Sequence, residues 1–183
     1  MTISLYRPSS AIFGLITIAL LGACASNPME DGMDPFAPSI FKEGATTLPA
    51  TPPNKSTLQP FYVSNTTVFK FAIDTDSIRI GSDGITRYTV VMTSPNGNTQ
   101  VQFEGIRCES FQWKIYGNFE NGKWKENPLS NWFAIKDSVP NRYQAALAQG
   151  ALCDFKSQET SQQLILESLN PNRFTGQMKM PNN

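Results

Sequence analysis

The sequence predicts an α+β domain: an antiparallel β-meander of about six strands, followed by one or two C-terminal helices packed on one face. Three observations predict it. Apolar residues alternate in short runs between Phe61 and Phe155, hairpin dipeptides separate the runs, and the spacing turns helical after Pro140. Fifteen of the twenty aromatic residues lie in this stretch, where nine basic and nine acidic side chains balance. It is therefore the part of the chain able to bury a core.

In chain order, Phe69-Lys70-Phe71-Ala72-Ile73 alternates, as does Ile78-Arg79-Ile80. Thr86 to Thr93 puts Tyr88, Val90 and Met92 on one face; Val101 faces with Phe103, and Trp113 with Ile115. Asp83-Gly84, Asn96-Gly97 and Asn121-Gly122 fall between the runs, and each suits a tight hairpin because these residues tolerate positive φ. Gly105 marks a candidate bulge, since apolar parity shifts from Val101 and Phe103 to Ile106 and Cys108. After Ser138 and Pro140, a cap and a first-turn residue, Tyr143, Ala146, Leu147 and Gly150 or Ala151 follow helical spacing. A second helix is predicted over 160–169, with Leu164, Ile165 and Leu169 on its apolar side, stopped by Asn170-Pro171.

The segments outside this core carry different signals. Residues 24–60 hold seven of the thirteen prolines, and 44–53 have no apolar periodicity to bury, which predicts an extended, disordered tether, with Phe36, Ile40 and Phe41 either a short docking motif or incidental. The folded domain is accordingly placed at 61–155, a C-terminal helix at 156–170, and a disordered tail at 171–183. Residues 1–23 have the layout of a secretory signal: Arg7, then an uncharged stretch from Ala11 to Leu21 too short to span a bilayer. Leu21-Gly22-Ala23-Cys24 resembles a bacterial lipobox. The resemblance implies cleavage before Cys24, lipid on its thiol and acylation of the new amino terminus. Several acyl chains make a durable anchor where one would be marginal. Ala25 stands where many inner-membrane lipoproteins carry aspartate, so the resemblance favours the outer membrane, with the domain facing the periplasm.

Two cysteines remain, Cys108 and Cys153. In an oxidising envelope the economical reading is a disulfide between them. The competing reading is a reactive or metal-binding pair. Against it stand the spacing, which is not Cys-x-x-Cys, and a sequence that contains no histidine.

Part of this chain resembles the cryptic neisserial protein-like family of exported proteobacterial proteins. The resemblance rests on Gly81-x-Asp83-Gly84-Ile85-x-Arg87-Tyr88-x-Val90-Val91, Ser94-Pro95-x-Gly97 and Glu104-Gly105-Ile106-Arg107-Cys108. It continues through Trp113-Lys114-x-Tyr116-Gly117, Trp124, Trp132, Asn141-Arg142-x-x-Ala145-Ala146-Leu147 and Cys153. It implies a location and a fold and brings no activity, catalytic residue or cofactor with it.

The lack of histidine excludes Ser-His, Cys-His and His-ligated chemistry, and no metal or cofactor motif is present. Fifteen basic residues balance fifteen acidic ones, which argues against a nucleic-acid partner. Glu104, Arg107, Trp124 and Arg142 form a candidate binding surface: a bulge could aim Glu104 and Arg107 at each other or at an anionic or peptide ligand. Structural ion pairing accounts for the same residues. Trp113, Trp124 and Trp132 could form a stacking platform for sugars or a partner; the alternative is core packing, which suits Trp113 better than Trp124 between its two lysines. The sequence thus predicts a non-enzymatic envelope lipoprotein, a binding or assembly module with the membrane and an envelope protein as partners. The alternative is an envelope hydrolase working on cell-wall or glycan material through carboxylates.

Overall fold

The hairpin glycines mark where the strands of the sheet reverse. In the computed structural model, which describes residues 41–136 and 143–170, the six-stranded meander runs β1 Leu58–Phe61, β2 Lys70–Ile80, β3 Ile85–Thr93, β4 Thr99–Arg107, β5 Gln112–Glu120 and β6 Lys123–Glu126. Neighbours in sequence are neighbours in the sheet, all antiparallel. A two-residue strand, β7 Phe133–Ala134, pairs with the start of β5. The glycines of the predicted turns, Gly84, Gly97 and Gly122, all have positive φ, as does Asn121.

After the sheet come α1 Tyr143–Leu147, a single π-turn Ala148–Leu152, the small hairpin β8 Cys153–Asp154 and β9 Ser157–Gln158, and α2 Gln162–Leu169. The second helix starts two residues later than the spacing predicts, because Ser161 caps it by accepting the Leu164 N–H. The proposed cap and first turn at Ser138 and Pro140, the signal, Cys24 and the tail lie outside the described residues.

The main core lies between the sheet and these helices. Ile73, Tyr88, Val90 and Ile106 from the strands meet Leu147, Ala148, Leu152 and Ile165, all essentially without solvent exposure. Cys108 and Cys153 are joined by a disulfide that fastens the end of β4 to the end of the π-turn.

Two expectations change. The first concerns the tether. From Phe41 onward the chain is fixed: residues 41–51 form an extended strap on the second sheet face, and 58–61 are β1. The strap has no repeating bonds of its own. Single side chains hold it, which is why its proline-rich composition reads as free linker. The second concerns the bulge. Pairing of β3 with β4 is continuous past Gly105, whereas β4 with β5 pairs Phe103 with Gly117 and Glu104 with Ile115. The extra residue is therefore Tyr116, on β5. Gly105 serves it: a Cβ there would stand 2.8 Å from the Tyr116 ring and 2.9 Å from Ile85. Gly105→Ala is expected to cost about 1–3 kcal/mol by overpacking, read as a lower urea midpoint.

The β8–β9 hairpin turns on Phe155, which is 94% exposed and sits at φ 53°. A side chain in the left-handed region costs roughly 1 kcal/mol or more, and this one recovers nothing by burial. Phe155→Asn should leave the melting temperature unchanged or raise it, since asparagine tolerates that backbone. A clear fall in melting temperature would mean that the ring packs in solution.

Candidate functional site

The strand pairing puts Tyr88 directly opposite Glu104, on the face covered by the helices. Glu104 has no solvent exposure. Its carboxylate accepts from the Tyr88 hydroxyl at 3.0 Å and from the Tyr143 hydroxyl, at the start of α1, at 2.5 Å. Tyr143 also reaches the Gln102 side-chain oxygen at 3.3 Å, and the Gln102 amide donates to Asn118. Burial pushes the Glu104 carboxyl up to about 7, against the opposing pull of Tyr143, Tyr88 and Gln144. Burial and the adjacent carboxylate likewise hold both tyrosines well above their usual range. The network ties α1 to the centre of the sheet and protonates near neutrality. It lies in the interior.

Glu104 and Arg107 do not meet. Three positions apart on one strand, they point to opposite faces. Arg107 stacks on the Phe41 ring of the strap, 3.7 Å from its centroid, and pairs with Glu109 at 2.5 Å. Trp124 lies under the strap, donating its indole N–H to the Thr51 carbonyl and packing edge-on against Phe103 and Phe119. Arg142 is outside the described residues. The candidate surface thus divides: Glu104 belongs to the core, while Arg107 and Trp124 hold the strap.

Two ion pairs complete the strap face. Arg87 makes a two-pronged contact with Asp83, 2.7 and 3.1 Å, and donates from Nε to the Thr46 hydroxyl. Asp83 also accepts the Gly44 N–H. The Arg87 guanidinium beside it holds the Asp83 carboxyl down at about 2, overcoming burial. Lys114 bonds both oxygens of Glu43, and Trp132 donates to one of them. Burial pushes the Glu43 carboxyl up, but Lys114, Trp132 and Tyr116 outweigh it and leave it below its ordinary value. Both carboxylates serve as structural acceptors.

The sequence profile of the CNP1-like family matches residues 37–170. The chain belongs to the CNP1-like family. The match begins close to the strap and ends with α2, so the CNP1-like unit includes the segment that composition alone assigns to a tether. No curated protein and no solved structure matches the chain.

The described residues also form concavities away from these pairs. Where β1, the π-turn and the end of α2 meet, a groove of about 630 Å³ opens. Phe61, Val63, Leu147 and Leu169 line its walls, with Gly150 beside them. Sequence reasoning missed it, as it missed Tyr88, Tyr143 and Gln144 as partners of Glu104. The pairing of Tyr88 with Glu104 follows from the three-residue loop 95–97, in which Ser94 meets Asn98; a two-residue Asn96-Gly97 turn would put Tyr88 opposite Gly105 instead. The groove joins residues of β1, α1, the π-turn and α2, so no local signal marks it.

Proposed function

We propose that this CNP1-like protein is a non-enzymatic binding or assembly module of the bacterial envelope, held by lipid at Cys24 on the periplasmic side of the outer membrane. The observation that carries the reading is the placement of Glu104. The Glu104 carboxyl, which burial pushes up to about 7, is sealed beneath α1, with tyrosines and glutamines around it and zero exposure. A glycosidase-type hydrolase needs two carboxylates facing a substrate across a cleft. Asp83 and Glu43 instead each hold a cation and the strap. The disulfide and the Leu21-Gly22-Ala23-Cys24 run support an exported setting.

Crosslinking in living cells followed by membrane extraction tests this, with Cys24→Ser as control. The expected result is an envelope protein recovered in stoichiometric amount with the acylated form and lost with Cys24→Ser. Intact mass of the extracted protein should show loss of residues 1–23 and added acyl mass. A species retaining Met1 would overturn the anchor. Turnover of a wall or glycan substrate, abolished by Glu104→Gln with the fold intact, would overturn the non-enzymatic reading.

A further inference from the structure

The strap is bound as a peptide ligand is bound. Its contacts come from side chains spread over β3 to β6 and the segments beside them, each meeting one position. Phe41 lies on the Arg107 guanidinium and meets Trp132 edge-on. Glu43 takes Lys114 and the Trp132 indole N–H, Thr46 takes Arg87, and the Thr51 carbonyl takes Trp124. Leu48 sits over Gly117, where a Cβ would stand 2.8 Å from it. Readout by spaced side chains distinguishes one sequence from another, as peptide-recognition surfaces do. Asp83 and Glu109 already pair with Arg87 and Arg107 from the turns of the sheet, whereas the ion pair of Lys114 is with the strap. The face is thus built to receive a carboxylate at Lys114.

The strap answers this face incompletely. Tyr116 is only 9% exposed, and its hydroxyl is buried among Arg87, Glu43 and Thr46 without a hydrogen bond of good geometry to any of them. A buried donor left in this way carries a cost that a suitable acceptor would remove. Room for one exists. A cavity of about 260 Å³ lies between strap and strands, with Thr46 and Leu48 on one side, Lys114, Tyr116 and Asn127 on the other, and Glu126 at its exposed rim. Of the strap backbone, the sheet engages the Gly44 N–H and carbonyl and the Thr51 carbonyl. That is little compensation for the entropy of holding 41–51 extended.

We infer that the face beneath the strap is a recognition site for an extended acidic segment of another envelope protein, which displaces the strap. The segment places an aromatic residue on Arg107, a carboxylate two positions later on Lys114, and a second carboxylate where Thr46 lies, within reach of Arg87 and Tyr116. The strap is then the site's own competitor, weaker contact for contact but held nearby by the chain at high local concentration. The proposal deepens the binding-module reading and rests on it.

The test is calorimetric titration of synthetic peptides into the full-length chain carrying Cys24→Ser, Phe41→Ala and Glu43→Gln, which weaken the chain's own strap and leave the face intact. A peptide copying residues 41–51 should bind saturably, one per chain, and about tenfold or more tighter than to a chain with the native strap, which competes. The same peptide with Thr46→Glu should bind about fivefold or more tighter than the copy. Tyr116→Phe in the chain should remove that gain and leave the affinity of the copy unchanged. If near-ultraviolet circular dichroism shows the weakened chain to have lost its fold, Glu43→Gln alone takes its place. Absence of saturable binding to a folded chain overturns the proposal. So does equal binding to the chain with the native strap, or a gain that survives Tyr116→Phe. A wild-type dimer that Glu43→Gln dissociates also overturns it, since the face then belongs to the strap of a second copy. In cells, Lys114→Glu should abolish capture of the crosslinked partner; a partner still captured overturns this site and leaves the module reading standing.

Discussion

Glu104→Gln is expected to abolish a pH dependence of stability while keeping the fold. The Glu104 carboxyl sits at about 7 in the folded chain against an ordinary value of 4.5, so folding favours its protonated form. A group raised in this way stabilises fully below pH 4.5, and that contribution is lost as pH rises through 7. The shift corresponds to about 3 kcal/mol between pH 4.5 and pH 8. Asp83 acts in a separate window with the opposite sign: its carboxyl is held down, so its contribution is present above pH 3.8 and is lost as pH falls toward 2.

Urea unfolding at pH 5 and pH 8 reads the difference. Wild type should lose on the order of 3 kcal/mol across this interval and Glu104→Gln very little. Glutamine keeps one acceptor oxygen, and either tyrosine hydroxyl can turn to accept from its amide. Glu104→Ala is different. It leaves the Tyr88 hydroxyl without an acceptor in a closed interior, leaves Tyr143 only the Gln102 oxygen, and should cost about 3 kcal/mol or more at both pH values. A wild-type protein equally stable at pH 5 and pH 8 would rule out a buried, titrating Glu104.

The second large effect belongs to Cys108–Cys153. The two positions are 45 residues apart in sequence, and closing a loop of that length stabilises by about 4 kcal/mol in the chain-entropy account. For a domain whose whole stability is expected near 5–15 kcal/mol, this is a large share. The double replacement Cys108→Ala with Cys153→Ala should lower the melting temperature by roughly 10–20 °C. Cys108 is fully buried at the base of the core, so a single replacement adds a lost contact and a free thiol. The double variant isolates the crosslink. A melting temperature unchanged by reduction would show that the disulfide does not restrain the chain that unfolds.

The meander was legible because its signals are local. Asp83-Gly84 and Asn96-Gly97 fix where the chain reverses, and alternation fixes which face each strand buries. α2 was legible for the same reason, through Ser161, Ile165 and Leu169. The strap was not, because each of its anchors is a single contact with a residue far along the chain: Gly44 with Asp83, Glu43 with Lys114 and Trp132, Thr51 with Trp124. Glu104 stands out in the sequence as a charge on an apolar strand, open to a binding or a structural role, but its partners do not follow from the sequence. Strand parity alone cannot say which of two faces is covered by helices when both are covered by something. The residues flanking it make this plain, since Phe103 packs on the strap face with Trp124 while Glu104 points into the helix-side core.

The strap also implies an order of events during folding. Its partners Asp83, Arg87, Lys114, Trp124 and Trp132 lie from the β2–β3 turn to beyond β6, so its full set of partners exists only once β2 to β6 have paired. Contacts of such separation form after local hairpins, once the entropy of closing the intervening loops has been met. The strap is thus completed after the sheet. It should also be the first to come loose, in partial openings that uncover Arg87, Phe103 and Tyr116 while the disulfide-linked core stays shut.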